Sequence, residues 1–219
     1  MPDVSGKTAL LFGATGLVGA QLLRQLLAHP AYEKVIAPGR RKPELTHEKL
    51  ASPVIDFDRL PNPIRPLSSD HVFIALGTTI KQAGSAEAFR KVDHDYIVNA
   101  AKTARAGGAT RCLLVSSAGA DAGSRLLYPR VKGETEEAVR EIGFPATGIF
   151  RPGALVGDRE ESRLGEKIAI WFSNLLLHVS PKILGKYNPT KAEVLARHMI
   201  EAALEVTTGD RLFAADELL

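Results

Sequence analysis

Residues 7–19 read KTALLFGATGLVG, an apolar run that leads into glycines at positions 13, 16 and 19. The run Lys7–Phe12 predicts a buried strand, and the leucine-rich segment Leu17–Ala28, which stops before Pro30, predicts a helix. A glycine-rich turn between a strand and a helix is typical of a phosphate-binding loop. Its first glycine permits the tight turn, its second lets the backbone approach an anion, and its third lets helix and strand pack closely.

Apolar runs and helix-like segments alternate as far as Phe150. This alternation predicts an α/β fold of the Rossmann type, a doubly wound parallel sheet with helices on both faces. Later in the chain, Thr190 and Glu193 predict the capped start of a helix to about Val206. The other predicted elements are strands at Lys34–Ala37, Pro53–Phe57, His71–Leu76, Arg111–Ser116, Ala146–Phe150 and Arg211–Ala214, and helices from Ser85 to Arg105 and from Tyr128 to Ile142.

The pattern predicts a single domain over residues 1–219. Residues 1–150 would form a dinucleotide-binding core, and residues 151–219 a small, mostly helical extension on the substrate side. In such a core, a diphosphate lies on the unpaired N–H groups at the start of the first helix. A glycine-rich turn without a ligand is the alternative.

The end of the second predicted strand indicates which dinucleotide would bind. Pro38-Gly39-Arg40-Arg41 contains no acid of the kind that holds the ribose hydroxyls of NAD. An arginine suits the 2′-phosphate of NADP, so we favour NADP over NAD, with Arg40 as first contact and Arg41 as second. Solvated loop charges are the alternative for both. Asp56, at the end of the third predicted strand, is positioned to bond the adenine amino group.

Tyr128 and Lys132 lie four residues apart, so they share one face of the predicted helix. Pro129 is tolerated only in a first turn, which predicts that the helix begins at or just before Tyr128. An ammonium group beside a phenol stabilises the phenolate. Such a tyrosine can donate or accept the proton that accompanies hydride transfer, and the lysine can hold the nicotinamide ribose. Two surface residues on an ordinary helix are the alternative.

These motifs resemble those of an atypical short-chain dehydrogenase/reductase, and the resemblance covers nearly the whole chain. It is carried by GATGLVG, by Ser116-Ser117 and by the Tyr128-x-x-x-Lys132 pair. More narrowly, four segments resemble the small Tat-interacting-protein-like oxidoreductase branch in order and spacing. They are ALGTT (75–79), KVDHDY (91–96), LYPRVKGETE (127–136) and FRPGALVGDREESR (150–163).

The resemblance implies NADP(H) binding, with Tyr128 as acid/base and Lys132 as its partner. It implies that the Arg151-Pro152-Gly153 turn lies against the nicotinamide and that Asp93 supports the site. The hydroxyl that binds the substrate carbonyl falls on Ser117, or is missing if that position is Ala118. The predicted catalytic residues are Tyr128, Lys132 and Ser117. The predicted cofactor contacts are Gly13, Ala14, Thr15, Gly16, Leu17, Val18, Gly19, Arg40, Arg41, Asp56, Ala75, Leu76, Gly77, Thr78, Ser116, Tyr128, Lys132, Arg151 and Pro152.

Two functions follow from this site. The first is an NADP-dependent oxidoreductase that acts on an unidentified carbonyl or secondary alcohol. The second is an NADP(H)-binding regulatory or redox-sensing interaction protein with little turnover, in which cofactor would order the apolar segment Ile168–Val179. That segment is otherwise predicted to be core, a lid or a dimer contact.

Composition bounds the remaining possibilities. The chain has 219 residues, a formal net charge of +3 and one cysteine, Cys112. The charge is too small to predict nucleic-acid binding. No apolar run is long enough to span a bilayer, and no signal peptide is visible, so we expect a cytoplasmic protein. No group of residues has metal-ligand spacing. A homodimer or a protein partner is left open.

Overall fold

The structure is a computed structural model that describes residues 6–60, 67–156, 189–205 and 208–218. The strands are β1 (Lys7–Phe12), β2 (Tyr32–Ile36), β3 (Leu50–Ala51), β4 (His71–Ile74), β5 (Arg111–Val115), β6 (Ala146–Phe150), β7 (Leu155–Val156), β8 (Thr190–Lys191) and β9 (Gly209–Phe213). Seven of them form one parallel sheet in the order β3-β2-β1-β4-β5-β6-β9. The direction of winding reverses between β1 and β4, where sheets of this kind form a ligand crevice.

Helices cover both faces of the sheet. They are α1 (Leu17–Ala28), α2 (Ile80–Ala83), α3 (Ala86–Arg90), α4 (Tyr96–Ala106), α5 (Leu127–Glu141) and α6 (Ala192–Leu204). On one face, α1 and α6 pack on alternate strand residues such as Ala9 and Leu11. On the other, α4 and α5 pack on Leu10 and Phe12. Because both faces are buried, the strands have continuous apolar sequences, and the predicted doubly wound fold is confirmed.

Predicted local features are wrong at the third strand and at the start of α6. The third strand is Leu50–Ala51 rather than Pro53–Phe57, and Val54 makes only an isolated bridge to Gly39. Pro53 has no N–H to donate, which limits a strand there. Thr190 does not cap α6, because it lies in β8 and its hydroxyl accepts the N–H of Gly153 at 3.4 Å. The residue before α6 is Lys191, which makes no side-chain cap.

Of the described residues after Phe150, β7 and β8 pair in a separate two-stranded sheet, and the rest pack on or extend the main sheet. Helix α6 packs beside α1, and β9 extends the sheet at the edge of β6. The segment Ile168–Val179 lies outside the described residues, and the boundary at residue 150 stays a prediction. Within the described ranges, no helix combines the length and the apolar character that a bilayer span requires.

Candidate active site

The glycine turn after β1 has the shape that an anion site needs. Gly13 has φ +91°, and a Cβ there would lie 2.4 Å from the Ala75 carbonyl oxygen. A Cβ on Gly19 would lie 1.9 Å from the Gly13 oxygen, so close packing excludes side chains at both positions. Gly16 heads α1 without a side-chain cap, and the first turn contains no acid. As in any α-helix, the first N–H groups of α1 have no intrahelical acceptor, and no side-chain cap competes for them here. A bound diphosphate fits this position.

A cavity opens beside this turn, at the carboxyl ends of β1, β4 and β5. It brings together twelve of the predicted site residues: Gly16, Leu17, Val18, Ala75, Leu76, Gly77, Thr78, Ser116, Ser117, Tyr128, Lys132 and Pro152. Its remaining lining residues are Thr79, Gln82, Asp93, Val115, Gly153 and Leu155. Residues far apart in the sequence thus meet at the crevice that the strand order creates.

Lys132 is buried and is held by a carboxylate. Its Nζ lies 2.7 Å from Oδ1 of Asp93, whose side chain is fully buried. The other oxygen of Asp93 accepts the N–H of Thr78 at 2.8 Å. Burial alone would lower the pKa of Lys132, but the negative charge of Asp93, helped by Tyr128 and Glu136, outweighs it and raises the pKa. Lys132 is therefore a fixed cation in the cavity wall.

A π-helical turn delivers Asp93 to this position. Residues Lys91–Asp95 join α3 to α4 in one continuous helix with a single widened turn. The single proton of the Thr135 hydroxyl on α5 is shared between the Asp93 carbonyl oxygen at 2.9 Å and the Val131 carbonyl oxygen at 2.7 Å. Turns of this kind are frequent at functional sites, and the sequence pattern alone predicted an ordinary helix here.

Tyr128 lies in the first turn of α5, as predicted, and is half-buried. Its ring stacks on Phe89 with a centroid distance of 5.6 Å and an interplanar angle of 27°. Phe89 is fully buried in α3, so the tyrosine ring rests on a rigid support. The role of Phe89 could not be predicted from the sequence, because an apolar residue on a helix has the same pattern whether it supports a site or fills the core.

The two adjacent serines have different partners. The Ser116 hydroxyl donates to Glu136 Oε1 at 2.5 Å. Ser117 is buried and lines the cavity, whereas the Ala118 N–H donates to the Pro152 carbonyl oxygen at 3.1 Å. Of positions 117 and 118, only Ser117 lines the cavity.

Arg151 makes its contacts away from the cavity lining. Its Nε donates to Glu136 Oε1 at 2.9 Å and its Nη2 to Oε2 at 2.7 Å. These bonds to Glu136 raise the pKa of Arg151. Pro152 and Gly153 of the same turn do line the cavity. In the sequence, Glu136 stands out only as the last residue of a segment that resembles the Tat-interacting-protein-like branch.

The residues predicted for the adenine end lie outside the described cavity. Arg40 and Arg41 are exposed just beyond β2, and among the described residues neither has a carboxylate partner. Asp56 accepts the N–H of Asp58 at 3.0 Å and so caps the short 3₁₀ turn Phe57–Arg59.

Strand order, glycine turn and Tyr-Lys pair together define a dinucleotide-binding fold of the short-chain dehydrogenase/reductase type. The model of the "NAD dependent epimerase/dehydratase family" matches residues 9–209, and the chain belongs to this family. Family and fold support a nicotinamide dinucleotide as cofactor.

Curated relatives confirm the Tat-interacting-protein-like branch. "Protein HTATIP2" of Rattus norvegicus is 40% identical over 170 residues, which cover 76% of this chain and 70% of that protein. "Protein fmp52, mitochondrial" of Emericella nidulans is 37% identical over 207 residues, which cover 91% and 88%. Among solved structures, "MoeE5 in complex with UDP-glucose and NAD" superposes with a TM-score of 0.71 at 15% identity over 96% of this chain and 79% of that chain. This last likeness establishes the fold alone.

The predicted cytoplasmic location is wrong. The relatives from Emericella nidulans, Candida albicans and Scheffersomyces stipitis are named mitochondrial proteins and point to mitochondria instead. A single cysteine does not separate these two compartments, because a reduced thiol is compatible with both.

Proposed function

We propose that this protein is an NADP-dependent oxidoreductase that acts on a carbonyl or a secondary alcohol. The observation that carries the proposal is the convergence of Tyr128, Lys132 and Ser117 on the cavity beside the glycine turn. A phenol, a fixed cation and a hydroxyl around one cavity are the groups that carbonyl reduction needs, since oxygen must be bound and protonated.

Each of these residues has a distinct role. When bound, a nicotinamide dinucleotide would supply the hydride in reduction and accept it in oxidation. Tyr128 gives its proton to the substrate oxygen during reduction and takes it back during oxidation. Lys132, kept charged by Asp93, stabilises the phenolate that Tyr128 becomes. Ser117 donates a hydrogen bond to the substrate oxygen and so stabilises the charge that develops there.

A substitution of Tyr128 tests the catalytic proposal. We expect Tyr128→Phe to lower NADPH oxidation across a panel of aldehydes and ketones by roughly 10²–10⁴-fold, because the proton donor is lost. The affinity for NADPH should stay within about threefold. Tyr96→Phe is the matched control, since Tyr96 bonds to Asp58 and does not line the cavity. Undiminished turnover in Tyr128→Phe would refute the assignment, and NADPH binding without turnover of any substrate by the unmodified protein would favour the regulatory hypothesis.

NADP rather than NAD is proposed because the segment after β2 carries Arg40 and Arg41 and no acid. A guanidinium forms strong charge-assisted bonds to a phosphate. We expect Arg40→Ala to weaken NADPH binding by roughly 10- to 100-fold and to leave NADH binding within about threefold. Lys49→Ala is the control. If a fluorescence titration showed that Arg40→Ala weakens the binding of NADPH and NADH equally, the preference for NADP would be contradicted.

A further inference from the structure

Glu136 continues the row of side chains that begins with the proposed catalytic pair. Tyr128, Lys132 and Glu136 are each four residues apart on α5, so they lie along one face of the helix. Glu136 is only 1% exposed, although carboxylates are rarely buried without a specific partner. Its charge also contributes to the raised pKa of Lys132.

The partners of Glu136 come from two different strand ends. Ser116, directly after β5, donates to Oε1 at 2.5 Å, and Arg151, directly after β6, binds both oxygens at 2.9 and 2.7 Å. Arg140, one turn further along α5, approaches Oε2 at 3.6 Å. One buried carboxylate therefore joins α5 to the carboxyl ends of β5 and β6.

These strand ends carry residues of the cavity wall. Ser116 and its neighbour Ser117 both line the cavity, and the Ser116 hydroxyl is bonded to Glu136 on α5. The same loop is bonded across to the end of β6, from the Ser116 N–H to the Phe150 oxygen at 2.7 Å. A shift at Glu136 would therefore displace Ser117 and Pro152 relative to Tyr128.

We propose that Glu136 is a positioning residue, which holds α5 against the ends of β5 and β6 so that Tyr128 and Ser117 act on one substrate oxygen. This inference rests on the proposed oxidoreductase function. Buried ion pairs contribute little to stability compared with apolar pairs of similar volume. A bidentate pair also fixes the geometry of the groups that it joins, and this is the role that the proposal gives it.

The test compares Glu136→Gln, Ser116→Ala and the exposed neighbour Glu137→Gln as matched control. For Glu136→Gln we expect kcat on a carbonyl substrate to fall roughly 30- to 100-fold, as for a misplacement of about 1 Å, with NADPH affinity within about threefold. Ser116→Ala, which removes a single bond, should lose roughly tenfold in kcat. Glu137→Gln should match the unmodified protein.

Amide hydrogen exchange in the absence of cofactor gives a second readout. Exchange at Ser116 and Ala118, whose N–H groups donate to the Phe150 and Pro152 oxygens, should accelerate by roughly tenfold or more in Glu136→Gln and Ser116→Ala. If the unmodified protein reduces no carbonyl, the proposed function fails, and this exchange measurement still decides whether Glu136 holds the loop. Unchanged exchange, or kcat within about threefold of the unmodified protein in both variants, would overturn the inference.

A double variant separates positioning from general stability. Glu136→Met with Arg151→Met fills the same space with apolar groups and should recover the thermal stability that Glu136→Gln loses. We expect its kcat to remain low, because Ser116 still has no carboxylate to hold it. Recovery of kcat together with stability would show that Glu136 is merely structural.

Discussion

At the scale of single residues, the site depends on one buried ion pair. Lys132 and Asp93 are 2.7 Å apart, and Gly77 packs over them, since a Cβ there would lie 3.4 Å from Asp93 Oδ1 and 3.8 Å from Lys132 Nζ. An ammonium at this depth loses most of its hydration, so the partner carboxylate is what keeps it charged. The proposed chemistry at Tyr128 thus depends on a residue of another helix.

The substitution Asp93→Asn should uncouple this pair. Without the carboxylate, burial lowers the pKa of Lys132, so the cation is lost at a lower pH than in the unmodified protein. We expect the alkaline limb of the pH–rate profile to move to lower pH. The free energy of unfolding should fall by roughly 3–5 kcal/mol, because a buried charge loses its partner. Asp95→Asn, at an exposed neighbour, is the control, and an unmoved alkaline limb would contradict the role of Asp93.

At the scale of elements, α5 lies close against the loop that precedes it. The Asp121 N–H donates to the Pro129 carbonyl oxygen at 2.9 Å, so the loop follows the backbone of the helix. Gly133, next to Lys132, permits this approach, because a Cβ there would lie 2.1 Å from the Ala122 nitrogen. A glycine inside a helix ordinarily weakens it, and here close packing explains its presence.

Gly133→Ala should therefore destabilise the protein although alanine is the better helix former. Helix propensity alone predicts a gain of about 1 kcal/mol. Forcing a methyl group into the loop backbone should instead cost about 1–3 kcal/mol and displace α5 from the cavity. Urea unfolding measures the difference. Glu137→Ala, exposed on the same helix, should change the free energy of unfolding by less than about 0.5 kcal/mol. A more stable Gly133→Ala protein would contradict the packing argument.

At the scale of the whole molecule, another buried polar pair lies at the opposite ends of the strands. Tyr32 Oη and His71 Nδ1 are 2.8 Å apart where β2 and β4 begin, and both side chains are buried. Burial, and then the positive charges of Lys7 and Arg111, lower the pKa of His71 to about 4. This pair is remote from the proposed chemistry, so its titration affects folding rather than catalysis.

The stability of the protein should therefore decline in mild acid. Between the ordinary histidine pKa of 6.5 and about 4, the unfolded chain binds a proton that native His71 does not. The contribution of neutral His71 to the free energy of unfolding is fully present above pH 6.5. It is lost as the pH falls toward 4, by up to about 3 kcal/mol. Urea titrations across this pH range should show a smaller loss of unfolding free energy in His71→Gln than in the unmodified protein. His47→Gln, at an exposed position, should keep the full loss, and identical pH dependence in His71→Gln would refute the assignment.

Much of the architecture could be predicted from the sequence because it depends on local pattern. The predicted bounds of the helix Leu17–Ala28 and of the strand Ala146–Phe150 are correct to the residue. Apolar periodicity and flanking glycine or proline mark the ends of both elements. The third strand and the start of α6 were wrong, because there a proline and a neighbouring strand override the local signal. The π-helical turn Lys91–Asp95 could not be predicted, because its apolar pattern does not differ from that of an ordinary α-helix.

The sequence by itself determined the doubly wound sheet, the glycine turn and the Tyr128-Lys132 pair, because each is encoded by residues close together in the chain. Only the tertiary structure decided that Asp93 pairs with Lys132 and that Ser117 lines the cavity. The same holds for the bonds of Glu136 to Arg151 and Ser116. These outcomes depend on which distant segments meet. The physical reason is that a buried charge must find a partner in space, and distance along the chain does not specify that partner.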